Sequence, residues 1–159
     1  MTNPNEINQA SSNRRASVLY GVAAVVSLIG LADSIYLTVE HLSGRSVRCT
    51  LVSGCSEVLS SPYATLRGVP LAAIGAIAYF TVFSLATLAA FGYGGLGRLL
   101  TPIVGAMFLT TLWLLYLQAF VIGHFCQFCL LSALVTTTLL LLVIAAHYQN
   151  RERPAKHST

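Results

Sequence analysis

Four apolar runs, Val18 to Val39, Val69 to Phe91, Leu99 to Ile122 and Gln127 to His147, alternate with polar stretches along the chain. Each is close to the ~20 residues that a helix needs to cross a ~30 Å hydrocarbon core. The pattern predicts an all-α membrane protein, a four-transmembrane-helix bundle over residues 17–148. The first run exceeds the roughly 7–15 residues of a signal-peptide core and lacks a small-x-small site before its polar end, so it reads as a retained span. Residues 1–16 are rich in Asn and Ser and predict a disordered tail, and 149–159 a second polar tail.

Connections between the runs set their neighbours. Only Gly123-His124-Phe125 separates the third from the fourth, so those helices must be antiparallel and adjacent. The long connection is residues 40–68. Within it Ser56 to Ser61 predicts a short helix, with Ser56 as N-cap and Pro62 as its stop, that lies on the bundle mouth through Val58 and Leu59.

Composition strengthens the membrane reading. Of 159 residues, 55% are hydrophobic and 9% charged, where a soluble domain carries about 25% charged. Mean hydropathy is +0.73. The net charge of +4 comes from scattered basic residues rather than a cluster, which argues for orientation in the membrane and against nucleic acid. Arg14, Arg15, Arg98, Arg151, Arg153 and Lys156 lie in the tails and the Gly-rich turn, against Arg45, Arg48 and Arg67 in the long loop. This bias predicts a multi-pass cell-membrane protein with both termini cytoplasmic and the long loop outside.

All four cysteines then face the oxidising side. Cys126 and Cys129 form a Cys-x-x-Cys at the head of the fourth span, and Cys49 and Cys55 lie in the long loop. A helix N-terminus favours a thiolate, which makes Cys126 the thiol for exchange, while Cys129, one turn on, would point into the bundle. Duller readings exist for each. Both helix cysteines would serve as small apolar residues, and the loop pair as a static disulfide. Arg48 and Gly54 favour exchange, by stabilising a thiolate and freeing the loop. Zinc would have four cysteines and His41 or His124 to draw on, but five residues separate Cys49 from Cys55, beyond the usual two to four, and the expectation is no metal. Asp33 is the acidic residue inside a span, a functional suspect or a water-reaching structural group. Tyr36, Trp113 and Tyr116 would stack on a ring or anchor the span ends, and His124 would carry a proton or merely sit in an exposed turn.

Together, Cys49, the run Cys55-Ser56-Glu57-Val58-Leu59-Ser60-Ser61-Pro62-Tyr63, Gly68-Val69-Pro70 with Gly75 following, and Phe125-Cys126-x-x-Cys129 resemble the vitamin K epoxide reductase family, bacterial members above all. The resemblance covers roughly Gly21 to Leu142. It implies a four-helix bundle around a quinone, menaquinone or ubiquinone, with the loop helix as cap. Cys126 and Cys129 would be the active-site pair, Cys129 facing the quinone. Leu71, Ile74, Ala133, Ser60 and Ser61 would complete the quinone site. Cys49 and Cys55 would be the shuttle pair, with Cys55 the inner thiol that attacks Cys126.

Animal enzymes of that family place an asparagine and a tyrosine where Leu71 and Ala133 stand, so the resemblance implies reduction of a plain quinone rather than an epoxide. Some bacterial members carry a fused thioredoxin-like domain after the fourth span. This chain ends at Thr159, and the expected partner is a separate thioredoxin-like, DsbA-like oxidase. Such an oxidase has a potential of about −120 mV, so a respiratory quinone is a suitable acceptor. Two other readings are a DsbB-type oxidase, which places its Cys-x-x-Cys in the first outer loop instead, and a non-enzymatic membrane protein with structural or zinc-binding cysteines.

Overall fold

The computed structural model describes residues 4–44, 55–93 and 95–151. Among the described residues five α-helices carry the fold: α1 (Pro4–Leu42), α2 (Cys55–Ser60), α3 (Leu71–Ala90), α4 (Gly97–Tyr116) and α5 (Gln127–Arg151). Between α2 and α3 lie a 3₁₀ turn, Pro62–Ala64, and two short strands, β1 (Thr65–Leu66) and β2 (Val69–Pro70). Among the described residues, four segments are long and apolar enough to cross a membrane: Asn13–Leu42, Leu71–Ala90, Gly97–Ile122 and Gln127–Gln149.

α1 packs along α3 and α5, and α4 packs mainly on α5. The shared core joins Tyr20, Ala23 and Ala24 of α1, Tyr79, Val82 and Ala86 of α3, Leu100 and Val104 of α4, and Leu139, Val143 and Ala146 of α5. Small residues at these contacts let helices approach closely, which in lipid replaces the hydrophobic drive between them. A Cβ at Gly30 would overlap the Tyr79 ring, and one at Gly97 the Tyr20 hydroxyl, so both glycines mark close crossings. Outward, Val18, Val25, Ile77, Leu109, Leu134 and Leu141 are exposed, an apolar surface suited to lipid.

Several boundaries depart from the sequence pattern. α1 already begins at Pro4, so residues 4–16, expected as a disordered tail, continue the helix of the first span. Proline suits a first helical position, and extending an existing helix through Glu6, Gln9, Ala10 and Arg14 requires no new nucleus. The cap helix α2 starts at Cys55, which takes Ser56 inside the helix and removes its N-cap role. Val69 and Pro70 do not open the second span but form β2, paired antiparallel with β1 in the register Thr65↔Pro70 and Leu66↔Val69. The turn between them has Arg67 at φ 53° and Gly68 at φ 86°, the double left-handed geometry that a tight hairpin needs. Cys49, Arg48 and Gly54 lie outside the described residues, as do 152–159.

Candidate functional site

The head of α5 is built by the end of α4. Leu117–Ile122 continues α4 as a π-helical turn, and Gly123 at φ 71° ends it in the left-handed conformation. The wider turn brings buried Gln118 under the following segment, where its Oε1 accepts the backbone N–H of Cys126 at 3.0 Å. Cys126 caps α5: its carbonyl accepts the Leu130 N–H at 3.0 Å.

Its sulfur therefore faces the unpaired N–H groups of the first turn. A hydrogen bond from the Cys129 side chain brings the Cys126 thiol down from 9.0 to about 7, burial opposes it, and the backbone N–H groups of Cys129 and Phe128 add to the lowering. The Asp33 charge pushes the other way. A thiol near 7 is close to half ionised at neutral pH, and attack on a disulfide is fastest when the thiol's pKa matches ambient pH.

Above this thiolate lies the cap. Cys55 and Val58 of α2, Leu37 of α1 and Cys126 form one buried apolar cluster, with Leu59, Ala72, Ile122, Phe128 and Cys129 packed against it. Cys55 is 1% exposed and disulfide-bonded. Ser61 ends the cap helix by donating its hydroxyl to the Val58 carbonyl at 2.7 Å. The loop cysteine and the helix-mouth cysteine thus meet in one cluster.

Below the cap, a cavity of about 470 Å³ opens among α1, α3, α4 and α5. Of the residues named for a quinone site, Cys129, Leu71, Ile74 and Ser61 line it. Ser60 and Ala133 do not. Ser60 is on the exposed side of the short α2, and along α5 the cavity face runs through Cys129, Ser132 and Thr136, which turns Ala133 aside. Asp33 lines the cavity as well, 8% exposed, with Oδ2 buried and without a hydrogen-bond partner. Tyr36, Trp113 and Tyr116 lie outside the cavity lining and are exposed, with Tyr36 against Phe128 at 5.3 Å between ring centroids and Trp113 stacked on Tyr116. His124 sits in the exposed turn.

Two features escaped the sequence reading. Gln118 is the one amide in the third apolar run, the same signal that singled out Asp33, and it was open to the same argument. The second is a polar knot in the cavity wall. Tyr79 Oη lies 2.8 Å from Ser132 Oγ and 3.2 Å from Thr136 Oγ1, and Thr111 Oγ1 lies 3.4 Å from Thr136 Oγ1. Hydroxyl residues are common in spans because they bond their own helix, so nothing in the sequence marked these.

The cavity lies in the usual size range for small-molecule sites, is mostly apolar, and has a few convergent polar groups, which suits a quinone ring. The chain matches the model of the vitamin K epoxide reductase family over residues 22–144. It is also 35% identical over 117 residues to the thiol-disulfide oxidoreductase LTO1 of Arabidopsis thaliana, a match covering 67% of this chain and 31% of that protein. The chain thus spans about a third of its relative's length.

Proposed function

The chain belongs to the vitamin K epoxide reductase family, and from that premise we propose that this multi-pass membrane protein is a thiol:quinone oxidoreductase that makes disulfides for an exported thioredoxin-like partner. One observation carries the reading: Cys129 borders both the cavity and the buried cluster that holds Cys126 and Cys55. The cysteines thus lie in one connected region that reaches from the cap to the cavity.

In this scheme the partner's dithiol reduces the loop disulfide that includes Cys55. The Cys55 thiolate then attacks the Cys126 sulfur of an oxidised Cys126–Cys129 pair, which forms a Cys55–Cys126 disulfide and releases Cys129 as a thiolate; Cys49 then attacks Cys55 and displaces Cys126, leaving Cys126 and Cys129 reduced and the loop pair oxidised. A quinone held against Leu71, Ile74 and Cys129 supplies a two-electron, two-proton acceptor. The protein's own part is to hold Cys126 as a thiolate through the helix terminus and the Cys129 side chain, to fix its backbone through Gln118, to shield the pair under α2, and to keep Cys129 facing the cavity. Such positioning turns an encounter into an intramolecular step. Leu71 offers a quinone oxygen no hydrogen bond, which favours a plain quinone over vitamin K epoxide.

The test is direct. Purified protein given a reduced thioredoxin-like oxidase and ubiquinone-1 or menadione should bleach the quinone and oxidise the partner one for one. Failure with both quinones, using protein whose cysteines are intact, would remove the enzyme reading.

Orientation belongs to the same proposal, because disulfide export requires Cys55 on the outer side and both termini in the cytoplasm. A membrane-impermeant thiol reagent applied to intact, reduced cells should label the long loop at Cys49, Cys55 being buried. Labelling that needs permeabilised cells would place the chemistry in a reducing compartment and sink it.

A further inference from the structure

Asp33 has no part in the sulfur relay, yet it occupies a costly position. A carboxyl oxygen buried in a membrane span without a hydrogen-bond partner loses several kcal/mol of solvation by order of magnitude, and Asp33 Oδ2 is in that state. Buried polar groups are normally paired, so the exception calls for a use. Its surroundings narrow the choice. Among the described residues lining the cavity, the titratable groups are Asp33 and His41 of α1, Tyr63 of the 3₁₀ turn, Tyr79 of α3 and Cys129 of α5; α4 and its π turn offer only hydroxyls and the Gln118 amide. Tyr79 is engaged by Ser132 and Thr136. His41 is in the last turn of α1, about two turns along the helix from Asp33.

Chemistry supplies the need. Closing Cys126 and Cys129 into a disulfide forms one S–S bond and releases two electrons and two protons, and reduction of a quinone to quinol consumes both at its two oxygens. Electrons pass through the sulfur that faces the cavity. Protons need an acid-base group there, because an apolar cavity holds too few polar partners to order a chain of water.

We propose that Asp33 is the proton carrier between the active-site thiols and the quinone: its carboxylate takes the proton from the Cys129 thiol and hands it to a quinone oxygen. Cys126, held as a thiolate, has already released its proton, so the carboxyl takes a second proton from water at the cavity mouth in turn: two electrons leave the pair, two protons reach the quinone oxygens and none are left over. Asp33 acts on the reacting atoms directly and is therefore a catalytic residue in this scheme. The inference rests on the thiol:quinone reading. A second mark of proximity is that the Asp33 charge is felt at Cys126, where it works with burial against the hydrogen bond from Cys129.

The experiment is anaerobic single-turnover oxidation of the fully reduced protein by ubiquinone-1. Asp33→Asn should slow the step by about 100-fold or more, the lower end of what general acid-base catalysis contributes, while leaving apparent quinone affinity unchanged. Asp33→Glu should recover most of the rate. Two readouts do not depend on turnover. Thiolate absorbance of reduced wild type should titrate at Cys126 with a midpoint of about 7, and Asp33→Asn should move that midpoint down, since a negative charge has been removed. Dicyclohexylcarbodiimide, which modifies carboxyls in apolar surroundings, should label Asp33 of the wild-type protein, and ubiquinone-1 should protect it.

Outcomes separate cleanly. If wild type reduces no quinone, the function itself falls and the carrier with it. Where wild type is active, an Asp33→Asn protein with the wild-type rate and pH profile overturns the carrier alone. Should Asp33→Asn fail to fold, the wild-type carbodiimide experiment decides: an unlabelled Asp33, or labelling that quinone does not block, also overturns it.

Discussion

A chain carrying Cys49→Ser and Cys129→Ser is expected to accumulate one covalent link, a disulfide between Cys55 and Cys126, and to lose quinone reduction entirely. In the wild type each of these two sulfurs has a neighbour that resolves any bond it makes. Cys49 would take Cys55 back, and Cys129 would take Cys126 back. With both resolving thiols replaced, the exchange has nowhere to go. Geometry favours the trap because Cys55 and Cys126 are buried in the same cluster under α2, 1% and 0% exposed. A bridge forms without backbone movement only when the Cα atoms are within about 7 Å. The trapped bond therefore reports on the packing of the cap as well as on the chemistry.

Peptide mapping under non-reducing conditions should recover a cross-link between the α2 peptide and the peptide that begins α5. The reciprocal pair, Cys55→Ser with Cys129→Ser, leaves Cys49 and Cys126, and should stay free under the same mild oxidation. If instead Cys49 and Cys126 join and Cys55 and Cys126 do not, the inner and outer shuttle thiols exchange roles. Absence of both links would end the relay.

How much of this was legible in the sequence depends on the kind of signal. The spans were readable because ~20-residue apolar runs have few other uses. The sulfur pair was readable because Cys126 and Cys129 stand one turn apart at a polar-to-apolar boundary. The N-terminal extension of α1 was not, since Asn and Ser lower helix propensity and composition says nothing about a helix already nucleated downstream. Ala133 was misplaced for a related reason: residues three and four after Cys129 are both near its face, and only packing of α5 against α1 and α4 decides which turns inward. Gln118 required the π turn, which shifts helical phase by a residue and leaves no mark in hydropathy. The Tyr79 knot depends on contacts 53 and 57 residues away along the chain, beyond any local pattern.

That knot carries the second large expectation. Gly30→Leu should destabilise the bundle by about 3 kcal/mol, the upper part of the range for overpacking, and should abolish quinone reduction. Even the first carbon of a side chain at Gly30 would overlap the Tyr79 ring, so the ring must move. A free aromatic side chain would rotate away cheaply. Tyr79 is 2% exposed and its hydroxyl is bonded to Ser132 and Thr136, so rotation breaks those bonds and drives the ring into the cavity it lines. Tyr79→Ala alone costs about 3–5 kcal/mol through the void it leaves. Combining it with Gly30→Leu lets the leucine occupy that void. The double variant should therefore be more stable than the sum of the single losses by about 1–3 kcal/mol, the scale of coupling between touching residues. Thermal unfolding of the four proteins in detergent measures this. Strict additivity would mean that Gly30 and Tyr79 do not touch, and the crossing of α1 over α3 that shapes the cavity would have to be redrawn.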